Sequence, residues 1–217
     1  MTTENPLRAE HFRRVDESPD DQFYREARLV THIDDAAIAA TTAFYRDLLP
    51  ANGRILDLMS SWVSHLPADV EYAAVAGLGM NAAELDANAR LTDRVVQDLN
   101  DTPELPWDDG SFDAAVVTVS VQYLTRPAEV FAEVGRVLAG GAPFAVLYSN
   151  RCFPTKAVAV WQTVGTKDHA DLIGLYFRLS GAFGPPRAYD LSPSPGKSDP
   201  LYGVVAGRLG GGKVGGT

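Results

Sequence analysis

The stretch LPWDDGSFDAAVVTVSVQYL, residues 105–124, decides how the chain is read. Asp108-Asp109-Gly110 is a tight-turn signal, because Asp and Gly tolerate the backbone angles such a turn needs. Phe112 and Asp113 lead out of the turn into AAVVTV, a strand-length apolar run that ends at Ser120, with Gln122 and Tyr123 just beyond.

Similar units flank it on both sides. Upstream, RILDLM (54–59) is a short apolar run of the kind buried in a parallel sheet. VEYAAVAGLG (70–79) is a second strand, NAAELDANARL after it a helix, and RVVQDL (94–99) a third strand. Before them, DDAAIAATTAFYRDLL (34–49) is helical, capped by Asp34 or Asp35 and ended by Pro50 and Gly53. Downstream, residues 126–138 form an amphipathic helix that stops at Gly140-Gly141, followed by a fifth strand, APFAVLYSN (142–150). Helical stretches at 155–164 and 168–179 and short β-like pieces at 187–190 and 201–206 complete the pattern. Strands alternating with helices predict an α/β domain with a mostly parallel sheet covered on both faces. Its expected extent is 22–208, after a loose polar arm (1–21) and before a Gly-rich tail (209–217).

Composition narrows the function classes. With 217 residues, 46% hydrophobic and 22% charged, the chain has the material for one ordinary globular core. Its 28 acidic against 19 basic residues give a formal charge of −9, which repels phosphate backbones and disfavours a nucleic-acid partner. The apolar runs are too short to span a bilayer and the polar N-terminus lacks a signal-peptide pattern, so no membrane partner and a cytoplasmic location are expected. A lone cysteine, Cys152, excludes an intrachain disulfide, and four scattered histidines lack metal-ligand spacing, so no metal is expected.

In open parallel sheets the ligand sits at the carboxyl ends of the strands, near the switch in strand order. That rim would carry Asp57 to Ser61, Gly77 to Asn81, Asp98 to Asn100, Ser120, and Ser149 to Arg151, with Asn150 among them. Asp57 either meets a cationic ligand group or caps the turn after its strand. Asp98, beside apolar Leu99, suits an adenine amino group, or serves as an N-cap for the next segment.

The order RILDLM, VAGLGMNAAEL, VVQDLNDTPELPWDDGSFDAAVVTVSVQYL, EVFAEVGRVLAGGAPFAVLYSN resembles the class I methyltransferases that use S-adenosylmethionine (SAM), specifically their type 11 small-molecule group. The resemblance spans residues 54–150, nearly half the chain. It implies a Rossmann-like, seven-stranded sheet with the last strand antiparallel. It implies further that Asp98 and Leu99 hold adenine, and that Ser120 lies beside the sulfonium and amino-acid end of SAM.

Two departures stand out. The family's first strand runs into an acid-plus-glycines loop, whereas here DLMSSWVSHLP has no glycine between Asp57 and Pro67. Met59, Ser60 and Ser61 would then take over the cofactor contacts, the serines through their hydroxyls. At the end of the second strand, where the family places a ribose-binding acid, stands Gly79; Asn81 or Glu84 would serve instead.

In such a fold the N-terminal segment and the region after the fifth strand close over the cofactor. Phe23, Tyr24, Arg28 and His32 are the N-terminal candidates, with Tyr24 near the sulfonium and His32 as general base. Tyr123 and Tyr176 are catalytic candidates, and Asn150 and Arg151 candidate ligands for an acceptor's carboxylate or carbonyl. The expected activity is in-line methyl transfer from SAM to a small molecule, releasing S-adenosylhomocysteine, by a monomer or homodimer. Two alternatives stand beside it: rearrangement or cleavage of SAM with release of methylthioadenosine, and a methyltransferase-like binding protein without catalysis.

Overall fold

A computed structural model describes residues 5–165 and 168–210. Seven strands form one sheet in the order β3-β2-β1-β4-β5-β7-β6. They are β1 (Arg54–Leu58), β2 (Ala74–Gly79), β3 (Asp93–Val96), β4 (Ala114–Thr118), β5 (Pro143–Tyr148), β6 (Arg187–Asp190) and β7 (Tyr202–Gly207). β1 to β5 pair in parallel, and β7 runs antiparallel to both β5 and β6, as the resemblance implies. The helices are α1 (Asp20–Phe23), α2 (Asp35–Leu48), α3 (Ala82–Ala87), α4 (Pro127–Val137), α5 (Ala159–Thr163) and α6 (His169–Ser180).

Side chains alternate across each strand, so the central strands feed two cores. Ile55, Val116 and Ala145 pack beneath Tyr45 and Leu49 of the α2 end of the sheet. Leu56, Leu58, Val117 and Val146 pack toward α4 and α6, where Phe131, Phe144, Phe177 and Phe183 meet edge-to-face or tilted. α2 begins as its sequence predicts: the Asp34 carboxylate accepts the Ala37 N–H at 2.9 Å. Pro127 opens α4, where its missing N–H costs nothing.

Several boundaries differ from expectation. The segment 5–21 is docked rather than loose. Arg13 and Thr155 carbonyls join it to the region after β5, and Arg14 pairs with buried Asp20 at 2.7 Å. Leu209 still bonds to Ala182, so the described chain stays attached through the start of the expected tail; residues 211–217 lie outside the described residues. β3, an edge strand with no buried residue, ends at Val96, three residues early. The helix expected over 155–164 shrinks to α5. Most consequentially, no helix links β1 to β2: residues 59–73 cross as irregular chain, with Leu66 filling the core space a helix would cover.

Candidate functional site

Strand order reverses between β1 and β4, and a cavity of about 450 Å3 opens at that point over the strands' carboxyl ends. Its floor comes from Asp57, Leu78, Gly79 and Thr118; its walls come from the 59–65 loop, the 20–32 segment and residues 151–153.

The loop after β1 is held by its own polar groups. Ser60 N–H donates to Leu78 O at 2.7 Å, extending the β1–β2 pairing by one step. Its hydroxyl donates to buried Asp57 at 2.7 Å, and the Ser61 hydroxyl donates to Glu84 at 2.5 Å. Asn88 donates to Ser61 O and to the Ser64 hydroxyl. The two serines therefore fasten the loop, although both line the cavity. Burial pushes the Asp57 carboxyl up to about 6, against the lowering effect of the Ser64 and Ser60 hydroxyls. A Cβ on Gly79 would stand 2.2 Å from Ser60 O, so the loop backbone occupies the place of the family's acid. Glu84 lines the cavity instead. Asn81 does not: it caps α3 at Glu84 N and ties down the Tyr24 and Arg25 carbonyls.

At the β3 side Leu99 and Asn100 line the cavity, while Asp98 faces a separate, more open depression. The Asp98 carboxylate accepts the Asn100 N–H at 2.8 Å, the capping alternative its position allows. Asn100 is a strut: its amide donates to Asp20 and Tyr123 O and accepts from Thr125.

Beyond β4, Val119 takes φ +48°, a left-handed angle rare for a β-branched residue. Such strain, of order 1–3 kcal/mol, concentrates at functional sites. It brings Val119 and Ser120 to the cavity wall, where the Ser120 hydroxyl is buried without a partner. Tyr123 lines the wall, accepts Phe153 N–H at 2.8 Å, and is pushed up to about 12 by burial, so it stays a neutral donor. Burial likewise raises Tyr24.

His32 stands at the mouth, edge-on to Phe153 with ring centroids 5.3 Å apart. Crowding by surrounding protein lowers its pKa, with Glu84 opposing and Arg28 assisting, although the residue is still exposed. His65, its neighbour, is pushed down to about 4 by burial and leaves Nδ1 buried without a partner. Met59, at φ +56°, and Arg151 complete the set; Arg151 pairs with Asp199 at 3.0 Å.

Two expected residues lie elsewhere. Tyr176 is 1% exposed on the inward face of α6, among Phe12 and Phe131, where the apolar spacing of that helix puts it. Asn150 is exposed outside the cavity. Gln97, Val119 and Phe153 were missed. Phe153 lies two residues beyond the rim residue Arg151, but nothing local signals the strained turn at Val119.

Residues 58–146 match a family model described as "Methyltransferase domain". A curated relative, the ubiquinone/menaquinone biosynthesis C-methyltransferase UbiE of Geobacter sp. (strain M21), is 25% identical over 175 residues, covering 72% of this chain and 68% of its own. Over its central strands the chain is thus similar to methyltransferase domains. Among solved structures, an S-adenosylmethionine dependent methyltransferase from Mesorhizobium loti superposes with a TM-score of 0.53 at 17% identity, over 78% of this chain and 98% of that one. The [4+2]-cyclase SpnF gives 0.54 at 15% identity, over 78% and 80%. These two likenesses are of fold.

SAM is the cofactor that the resemblance implies, and the residues present fit it. The cavity falls within the size range of small-ligand sites. Leu99 and Leu124 offer an apolar shelf for a purine, while Glu84 and the partnerless Ser120 hydroxyl offer hydrogen-bond partners to hydroxyl or amino groups. Among the described residues no His/Cys/Asp/Glu group is arranged to hold a metal. No described helix is long and apolar enough to cross a membrane.

Proposed function

We propose that the enzyme methylates a small molecule in the cytoplasm, acting as a monomer or homodimer, with His32 as the base that takes the acceptor's proton. The single observation behind this is the cavity at the strand-order switch, walled by the docked 20–32 segment and by residues 151–153. A site with this cover admits a small acceptor and excludes a bulky polymer. SAM supplies a methyl group on a sulfonium, itself a good leaving group.

The chain's part is positioning and proton transfer. Leu99, Glu84 and Ser120 bind and orient the cofactor. Tyr24, Tyr123 and Phe153 wall off water and align the acceptor, so most of the rate comes from proximity and orientation. His32, neutral at pH 7 because its pKa lies below the usual 6.5, is free to accept a proton at the mouth. Loop 59–65 departs from the glycine-rich pattern, which keeps SAM rearrangement as the competing reading.

Incubation with SAM followed by mass spectrometry of the nucleoside product separates the two. S-adenosylhomocysteine formed only with an acceptor supports methyl transfer; methylthioadenosine formed without one overturns it. For His32, the acid limb of the pH–kcat/KM profile is expected below pH 6.5. His32→Gln is expected to lower kcat about 10²–10⁴-fold and leave SAM affinity unchanged; a retained acid limb would remove His32 from the mechanism.

A further inference from the structure

Arg28 brings a positive charge into the cavity, and among the described residues it makes no ion pair. Its Nη2 donates to Phe23 O at 2.8 Å, while Nη1 is buried with no partner at all. The guanidinium carbon lies 4.6 Å from the Phe23 ring centroid, 5.4 Å from Phe153 and 5.8 Å from Tyr24. Ring faces attract the cation but cannot accept its N–H groups.

None of the nearby acids pairs with the Arg28 side chain. Asp20 is held by Arg14 and Lys156. Glu84 takes Arg28's own backbone N–H and the Ser61 hydroxyl. Asp57 is buried beneath Ser60. A partly desolvated cation with a free N–H calls for an anion, and a planar guanidinium fork suits a carboxylate. The rings beside it favour a flat body behind that carboxylate.

We propose that Arg28 receives the carboxylate of the methyl acceptor, which is therefore a planar organic acid. This rests on the methyltransferase reading of the cavity. The recorded contacts of the Arg28 side chain are to the 20–32 segment and to Phe153 after β5, the two walls that cover the site, and none is to the ends of β1, β2 or β4. The acceptor's side of the cavity, beside His32, is thus where the charge is offered.

The test uses benzoate as probe and benzamide as its neutral control, by calorimetry on the whole chain at constant ionic strength, with and without S-adenosylhomocysteine. The expected result is benzoate bound about tenfold or more tighter than benzamide in the presence of S-adenosylhomocysteine, as one charge-assisted bond would give. Arg28→Met should abolish that preference, keep its melting temperature and leave S-adenosylhomocysteine affinity within about threefold, a change too small for one lost charge-assisted bond. Arg28→Lys should keep part of the preference. Equal binding of the two probes by the wild type, or a preference that survives Arg28→Met, overturns the proposal. So does displacement of benzoate by S-adenosylhomocysteine together with weakened nucleoside binding in Arg28→Met, which would assign the carboxylate to the cofactor. If the wild type fails to bind S-adenosylhomocysteine, the methyltransferase reading fails by itself. The comparison without nucleoside still decides whether Arg28 is a carboxylate receptor.

Discussion

Gly79 closes β2 with the carbonyl of Ser60 where a side chain would begin. Installing the family's acid by Gly79→Asp would thrust Cβ into backbone, which cannot rotate away. A loss of about 1–3 kcal/mol is expected in urea denaturation, with no gain in SAM affinity. Asp57, on the neighbouring strand, makes a pH-dependent prediction. Its folded pKa of about 6 exceeds the unfolded 3.8, so its contribution is fully present below pH 3.8 and lost as pH rises through 6. Asp57→Asn removes that loss. The melting temperature of the wild type relative to Asp57→Asn should therefore fall between pH 4 and 6.5 and level off above. A difference independent of pH would mean that the carboxyl is not held protonated. Both residues were visible in the sequence as departures or rim positions, but whether Asp57 met ligand or its own loop depended on Ser60 and Ser64 folding back over it.

At the scale of elements, the site is closed by a buried ion cluster. Lys156, fully buried, lies 3.1 Å from Asp20 and 3.4 Å from Asp16 and donates to Ser18 O at 2.7 Å. It thereby clamps the segment before α2 onto the turn before α5. Lys156→Met strands Asp20 on Arg14 and Asn100, at an expected cost of about 3 kcal/mol. Amide exchange of residues 16–23 should then speed up well beyond that of β4 and β5. Uniform acceleration across the chain would show that the clamp is not local. An acidic stretch followed by DQFYRE carries no periodic apolar signal, so its docking could not be read locally. The partner cation is 136 residues further on, counted from Asp20. The 59–73 crossing is similar: its missing helix is foreshadowed by three serines and Pro67, but its path over Gly79 is a tertiary fact.

For the whole molecule, a ligand that binds only the folded state adds to its stability by mass action. S-adenosylhomocysteine at about 100 times its Kd should contribute about 2.7 kcal/mol and raise the melting temperature by several degrees. A flat response at saturating nucleoside would contradict the cofactor assignment. The α/β class was legible because buried strands advertise themselves as short apolar runs between turn signals; the seven strands and the antiparallel one came from the family resemblance. The carboxyl-end rim followed from that topology alone. Which rim residues reach the cavity was decided only by the fold. Asp98 and Asn81 turned to cap backbone, Tyr176 followed the inward face of its helix, and Arg28 and Phe153 came together although 125 residues apart in the chain. Local periodicity reports which face of an element is buried, whereas a binding site is made of contacts between distant elements, each settled by competition among partners that no single segment contains.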